Sequence, residues 1–223
     1  QDKLDAQQAS AEFADYVHAL MVLRKKNPGT DLITDLALVE EDGEKLNAHE
    51  LIATCVLLLN AGHEASVNGF GNGFVAALKN EGQMSLIRQN SDQHAATAID
   101  EFLRFDAPLH LFERTATQDT EIGGVEIQSG QKIAALLGSA NRDEAVFENP
   151  FEFDIHRNPN PHLSFGFGTH LCIGANLARL VLTTVFRELS GRATGLSVVS
   201  EPDVEANIFA RAVKSFQIRV TPR

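Results

Sequence analysis

The segment Phe165-Gly166-Phe167-Gly168-Thr169-His170-Leu171-Cys172-Ile173-Gly174 sets a cysteine behind a glycine-rich loop and just ahead of a helical pattern. Glycine tolerates positive φ and lets the backbone approach a flat ligand closely. The first N–H groups of a helix have no partner within the helix, and they lower the pKa of a nearby thiol and stabilise the thiolate. A thiolate presented in this way suits a metal. Two other readings use the same residues. One is a structural cysteine packed beside a turn, the ordinary role of a free cysteine. The other is a zinc site built from His162, His170 and Cys172, which has no fourth ligand at finger spacing and needs a tightly folded loop.

Two further groups of residues carry potential chemistry. Glu101 and Arg104, three apart on a predicted helix, share a face and can pair. Alone, such a pair means little, because exposed ion pairs are common and weak. Ala61-Gly62-His63-Glu64-Ala65-Ser66 interrupts a strongly apolar helical stretch with small and ionisable residues. Glu64 there reads either as a proton carrier or as a carboxylate held by a polar break in a buried helix.

The cysteine loop resembles the signature loop of the cytochrome P-450 family, in which phenylalanine, two glycines, a basic residue, cysteine and a further glycine recur at these spacings. The resemblance covers essentially the whole chain, is nearest to soluble bacterial members, and spans only the C-terminal, haem-binding half of the family fold. It implies haem b (iron protoporphyrin IX) as cofactor, with Cys172 as the thiolate ligand of the iron. Such a ligand donates electron density that favours O–O cleavage, and so implies oxygen insertion more than oxygen storage. Arg114, His162 and His170 then correspond to residues that hold the haem propionates through charge-assisted hydrogen bonds. Phe165 is placed near the thiolate, where an apolar shell tunes its potential, and Gly166 and Gly174 occupy the loop's glycine positions. Glu101 and Arg104 match the family's Glu-x-x-Arg, and Arg157 becomes the third member of a buried ion network serving folding and haem incorporation.

By the same resemblance, Ala61 and Gly62 match the oxygen-binding groove, and Glu64 matches the acid beside it. The threonine expected after that acid is missing, since position 65 is alanine and a hydroxyl appears only at Ser66. Successive helical residues are rotated by about 100°, so Ser66 replaces that hydroxyl only if the helix is locally distorted. Proton delivery is then expected to use water, a substrate hydroxyl or Ser66, with electrons poorly coupled to product.

Elements must position these residues. The spacing of Ala9, Phe13, Tyr16, Val17, Leu20 and Leu23 predicts an amphipathic helix over Asp5 to Lys26, stopped by Asn27-Pro28-Gly29. Thr30 can cap a short helix reaching Val39, and a polar Glu40-Glu41-Asp42-Gly43 turn follows. Asn47 with Glu50 approaches a capping box and opens a long helix through Leu51 to Leu59, apolar on nearly every side as in a buried core helix. Cys55 on this helix reads as core. Helices follow over Met84 to Asn90 and Asp92 to Phe105, ended before Pro108. Leu109 to Leu137 reads as short strands with turns at Gly123-Gly124 and Ser129-Gly130. Asn141 to Pro161 reads as ordered coil, Ile173 to Leu189 as a strong helix, and Leu196 to Val199 and Ser215 to Val220 as closing strands. The fold class is mainly α with small β-sheets, in one partial domain spanning residues 1–223.

With 223 residues, 43% of them hydrophobic, the chain can bury a substantial core. A net charge of -11 argues against binding nucleic acid through a basic face. The two cysteines form no disulfide framework, so a reducing, cytoplasmic location is expected. The apolar run from Leu51 to Gly62, broken by Thr54 and Asn60, is too short for a membrane span. The polar start from Gln1 to Gln8 lacks the pattern of a secretory signal and reads as a chain picked up in mid-helix. The resemblance implies a monooxygenase acting on a small organic substrate with O2, supplied with NAD(P)H electrons by a ferredoxin or flavoprotein reductase. Two alternatives are a peroxide-driven or decarboxylating thiolate-haem enzyme, consistent with Ala65, and a haem-binding fragment without catalysis.

Overall fold

The computed structural model describes residues 2–39, 43–205 and 207–223. Its internal contacts divide the chain into two compact units, residues 1–63 and 64–223, described in turn.

The first unit holds helix α1 (Asp2–Lys26), helix α2 (Leu32–Leu38) and the start of helix α3 (Ala48–Lys79). Its core is small: Val17, Met21 and Leu51 are buried, with Phe13, Leu36, Ile52 and Cys55 packed against them. Burial pushes the Cys55 thiol pKa up. α1 ends before Pro28 as the sequence predicts, but its apolar stripe is only partly used, since Tyr16 and Leu23 are exposed. Asp31, not Thr30, caps α2: its Oδ1 accepts the Thr34 N–H at 2.9 Å. A carboxylate is the better acceptor, and that backbone hydrogen bond, aided by the Thr34 hydroxyl and Arg24, holds the Asp31 carboxyl below its ordinary pKa. The expected turn at Glu40, Glu41 and Asp42 lies outside the described residues. The capping box forms reciprocally, with the Asn47 N–H donating to Glu50 Oε2 at 2.8 Å and Asn47 Oδ1 accepting from the Glu50 N–H at 3.0 Å. One expectation fails here. Of the apolar run from Leu51 to Leu59 only Leu51 is buried, while Leu57 and Leu59 are exposed.

The second unit contains the rest of α3, helices α4 (Glu81–Gln89) and α5 (Ser91–Phe105), strands β1 (Leu111–Thr115), β2 (Thr120–Ile122), β3 (Val125–Ile127) and β4 (Lys132–Leu136), the single turn α6 (Leu137–Ala140), helix α7 (Ala175–Gly191), and strands β5 (Ala193–Val198), β6 (Asp203–Val204), β7 (Val213–Ser215) and β8 (Ile218–Pro222). The burial expected near the start of α3 occurs at its end, where Phe74 to Leu78 are all buried. There α3, α5 and α7 share a core of phenylalanines. Phe102 and Phe186 rings meet edge-on at 4.8 Å, and Phe74 and Phe186 at 6.0 Å. A Cβ on Gly73 would fall 2.2 Å from the Phe102 ring, so the approach of α3 to α5 requires glycine at that position.

Every strand pair is antiparallel and two-stranded: β1 with β4, β2 with β3, β5 with β8, and β6 with β7. Leu111 pairs with Leu136 and Thr115 with Lys132, so Arg114 lies opposite Ile133. The predicted Gly123-Gly124 turn joins β2 to β3, with both glycines at positive φ. Residues 141–167 form the expected coil, free of regular helix and strand. α7 begins at Ala175, two residues later than expected, because Cys172 and Ile173 belong to the turn that feeds it.

Candidate functional site

The cysteine loop is a tightly bonded hairpin of backbone. The Gly166 N–H donates to the Leu163 carbonyl at 2.8 Å, Gly168 to His170 form one 3-10 turn, and the Leu171 N–H closes on the Gly168 carbonyl at 3.0 Å. Gly166 and Gly168 adopt φ of 72° and 74°, which a residue with a side chain rarely takes. The Cys172 N–H then returns to the Phe165 carbonyl at 2.9 Å, and the Cys172 carbonyl accepts from Ala175 at 3.2 Å. Cys172 is thereby fixed at both its N–H and its C=O.

Its side chain is a free thiol and exposed. Within this chain Cys172 is thus not a buried structural cysteine. Apolar neighbours share that exposure: Phe167 is 87% and Ile173 93% exposed, with Leu171, Leu177 and Leu180 also open. A Cβ on Gly174 would lie 3.9 Å from the Cys172 sulfur, so the absent side chain leaves that flank of the sulfur uncovered. An uncommitted sulfur at a helix start, among exposed apolar side chains, fits a flat, largely apolar ligand that carries a metal. Among the described residues no three His, Cys, Asp or Glu side chains converge as a metal site, so His162, His170 and Cys172 do not form a zinc set.

Behind the loop lie two networks that start from adjacent residues of α5. Glu101 and Arg104, both with fully buried side chains, pair in a bidentate fork with two contacts of 2.7 Å. Arg104 also donates to the carbonyls of Asn141, Pro150 and Glu152 at 2.8 to 3.0 Å. Glu101 further accepts from the Asp154 N–H and from Asn160, and Arg157 Nε lies 3.3 Å away. The three-residue network expected from the sequence is thus present. It reaches the loop through Asn141, whose side chain accepts from the Leu163 N–H at 2.7 Å and donates to Ser164 Oγ at 2.8 Å.

Asp100 begins the second network. Its Oδ1 accepts from Arg179 Nε of α7 at 2.8 Å and lies 3.4 Å from His162 Nε2. Partial burial pushes the Asp100 carboxyl upward in pKa, but hydrogen bonds from His162 and Arg179 and the Arg179 charge outweigh it and hold the group below its ordinary value. The other ring nitrogen of His162, Nδ1, accepts the Ser164 N–H at 3.3 Å. The His162 side chain is 1% exposed, with Nε2 facing Asp100 and Nδ1 accepting from Ser164. Phe165 packs between these groups, 5.7 Å from the His162 ring and with the Arg179 guanidinium 4.6 Å from its own centroid.

The remaining predicted residues are placed as follows. Arg114, on β1, is exposed and donates only to the neighbouring Glu113 carbonyl. His170 is exposed at the end of the 3-10 turn. Ala61, Gly62 and Glu64 are exposed on α3, and nothing lies within 4 Å of a Cβ built on Gly62. Ala65 and Ser66 are half-buried, and α3 is α-helical at both, so Ser66 faces about 100° away from position 65. No hydrogen bond from the Glu64 or Ser66 side chains is present among the described residues. Sequence reasoning missed Asp100, Asn141, Ser164 and Arg179. Only Asp100 left a signal, as a second carboxylate beside Glu101.

Comparison with known proteins gives a consistent result. The family described as Cytochrome P-450 matches residues 3–189. A steroid C26-monooxygenase of Rhodococcus jostii is 38% identical over 216 residues, 96% of this chain and 45% of its own length. A biotin-biosynthesis cytochrome P-450 of Bacillus subtilis is 41% identical over 183 residues, 82% of this chain and 46% of its own length. A solved cytochrome P-450 of the Bacillus subtilis bacillaene polyketide synthase superposes with a TM-score of 0.92 at 37% identity, covering 96% of this chain and 56% of that one. The chain thus spans about half the length of the proteins it matches. Among the described residues, no helix is long and apolar enough to cross a membrane.

Proposed function

The chain belongs to the cytochrome P-450 family, and on that premise we propose that the full-length protein is a haem-thiolate monooxygenase. It inserts one oxygen atom from O2 into a small organic substrate, with NAD(P)H electrons delivered by a ferredoxin or flavoprotein reductase. The observation that carries this reading is the exposed, uncommitted Cys172 thiol at the head of α7. We take residues 1–223 as part of one such domain, working in the cytoplasm.

Cys172 would hold haem b, which when bound would supply oxygen binding and the oxidising power for insertion. The chain's own residues do the rest. Cys172 offers a thiolate whose backbone is pinned at Phe165 and Ala175, so ligand position is set before the cofactor arrives. Gly166 and Gly168 turn the backbone without side chains in the way, and Gly174 leaves space beside the sulfur. Phe165 shields the loop on the side of His162 and Arg179, keeping water from that face. Exposed Arg114 and His170 are the donors to the propionates, Arg114 as a permanent cation. Ala61 and Gly62 keep α3 thin where oxygen is to bind, and the exposed Glu64 carboxylate exchanges protons with water and relays them inward, alone or with Ser66. The steroid, biotin-pathway and polyketide contexts of the relatives differ so widely that they define no shared substrate beyond an organic molecule.

The test is the ferrous carbon monoxide spectrum of the full-length protein. Wild type is expected to give the Soret band of thiolate ligation and Cys172→Ser to lose it at unchanged folding. A thiolate band that survives in Cys172→Ser would overturn the assignment. Running this chain alone through the same measurement separates a haem-binding portion from one that takes up no cofactor.

Ala65 favours a second reading, a peroxide-driven enzyme, because the hydroxyl that serves oxygen activation is missing from that position. Turnover with hydrogen peroxide and no reductase, at a rate matching the reductase-supported one, would establish it.

A further inference from the structure

We propose that Asp100, His162 and Arg179 form a clamp that positions the Cys172 loop against α7, with His162 a positioning residue and not a propionate ligand. The inference rests on the reading of Cys172 as the haem ligand and deepens it.

Three segments meet at one carboxylate. Asp100 comes from α5, His162 from the coil ahead of the cysteine loop, and Arg179 from α7, seven residues beyond Cys172. Asp100 Oδ1 binds Arg179 Nε at 2.8 Å and faces His162 Nε2 at 3.4 Å. The Ser164 N–H occupies His162 Nδ1, so the neutral ring carries its proton on Nε2, directed at Asp100. Histidine is thus held in one tautomer and one orientation.

Phe165 converts this arrangement into loop position. Its ring is covered by the Arg179 guanidinium at 4.6 Å and abuts the His162 ring. Its carbonyl is the acceptor of the Cys172 N–H. Downstream, Cys172 and Gly174 carbonyls accept from Ala175 and Ala178, the first turn of the helix that bears Arg179. A rotation or slide of α7 about its axis would therefore shift the cysteine at both ends, and Asp100 opposes that motion. Among the described residues, the Glu101 network fixes the coil to α5 through Asn141 and Ser164 and has no hydrogen bond or ion pair to α7. Asp100 ties α7 to α5 at 2.8 Å near the loop, while the second ion pair between these helices, Arg187 with Asp92 at 3.7 Å, lies two turns further along α7.

The experiment uses the full-length holoprotein and the variants Asp100→Asn, Arg179→Gln and their combination. Each is reduced, bound to carbon monoxide, and followed as the thiolate Soret band gives way to the band of a displaced ligand. Each single variant is expected to retain haem and to lose the thiolate band about 10-fold faster than wild type, the scale of one charge-assisted hydrogen bond. The double variant should be no worse than either single one, because both remove the same contact. His162→Phe should accelerate the loss likewise without lowering haem content. Wild-type band lifetimes in Asp100→Asn and Arg179→Gln would overturn the clamp while leaving Cys172 ligation intact. Loss of haem in His162→Phe with an unaltered band would also overturn it, by restoring the propionate role. A wild-type protein without any thiolate band would instead bring down the underlying haem reading. Arg179 is 42% exposed in its side chain, so Arg179→Gln keeps the test decisive if Asp100→Asn fails to fold.

Discussion

Position 65 carries the most consequential single difference from the family pattern. Alanine there removes a hydroxyl, and the α-helical course of α3 through Glu64, Ala65 and Ser66 keeps Ser66 on a different face. The Glu64 and Ser66 side chains make no hydrogen bond among the described residues, so neither is held in the place of a hydroxyl at position 65. Ala65→Thr is therefore expected to raise the product formed per NAD(P)H consumed by the full-length enzyme by roughly two- to tenfold, below the ~10²- to 10⁴-fold rate effect of a placed proton donor because coupling is capped at one product per NAD(P)H. Product and nicotinamide measured together in one assay check this; unchanged coupling would mean that proton delivery here never depended on that hydroxyl. At the same scale, the proposed clamp takes His162 out of propionate binding, on a side chain 1% exposed that meets Asp100 and Ser164.

Among the elements, α3 and α5 set the tightest tolerance. The end of α3 passes so close to Phe102 of α5 that a single methyl group at position 73 has no room. Phe102 is fully buried and meets Phe186 of α7, so it cannot swing aside without disturbing a third helix. Gly73→Ala is expected to destabilise the full-length protein by about 1–3 kcal/mol, the cost of overpacking a dense core. Urea unfolding would measure it, and Gly73→Ala combined with Phe102→Leu should recover part of the loss. The buried Glu101–Arg104 fork works at this scale too. Glu101 and Arg104 are hydrogen-bonded at every polar side-chain atom, so the fork joins α5 to the coil at 141–160 with directional contacts that apolar packing does not provide.

For the molecule as a whole, the net charge of -11 and the paired carboxylates make acid the informative stress. Asp100 is held below its ordinary pKa in the folded state, where hydrogen bonds from His162 and Arg179 and the Arg179 charge outweigh burial. A depressed folded pKa means that the stabilisation is complete above the unfolded value near 3.9 and is lost as pH falls through the lower folded value. Wild type should thus lose stability on acidification below about pH 4, and Asp100→Asn should lose less over the same interval. The urea midpoint followed from about pH 5 to pH 2 reads this directly, and parallel curves for the two proteins would show that Asp100 contributes nothing to the acid limb.

The sequence by itself determined the elements that local chemistry dictates. Asn47 and Glu50 capped α3, Pro28 ended α1 before it, and paired glycines turned β2 into β3, because caps and turns depend on residues a few positions apart. The cysteine loop was equally legible, since its glycines, its thiol and its helix start are contiguous. The buried pairing of Glu101 with Arg104 was legible because one helical turn brings them together. Tertiary structure alone decided which apolar faces are covered. Leu57 and Leu59 look like core by composition and are exposed, whereas Phe74 to Leu78 are buried by helices far away in sequence. It alone also decided that His162 answers to Asp100, and that Arg179 completes the site, because those contacts span 62 and 79 residues and no spacing rule encodes them.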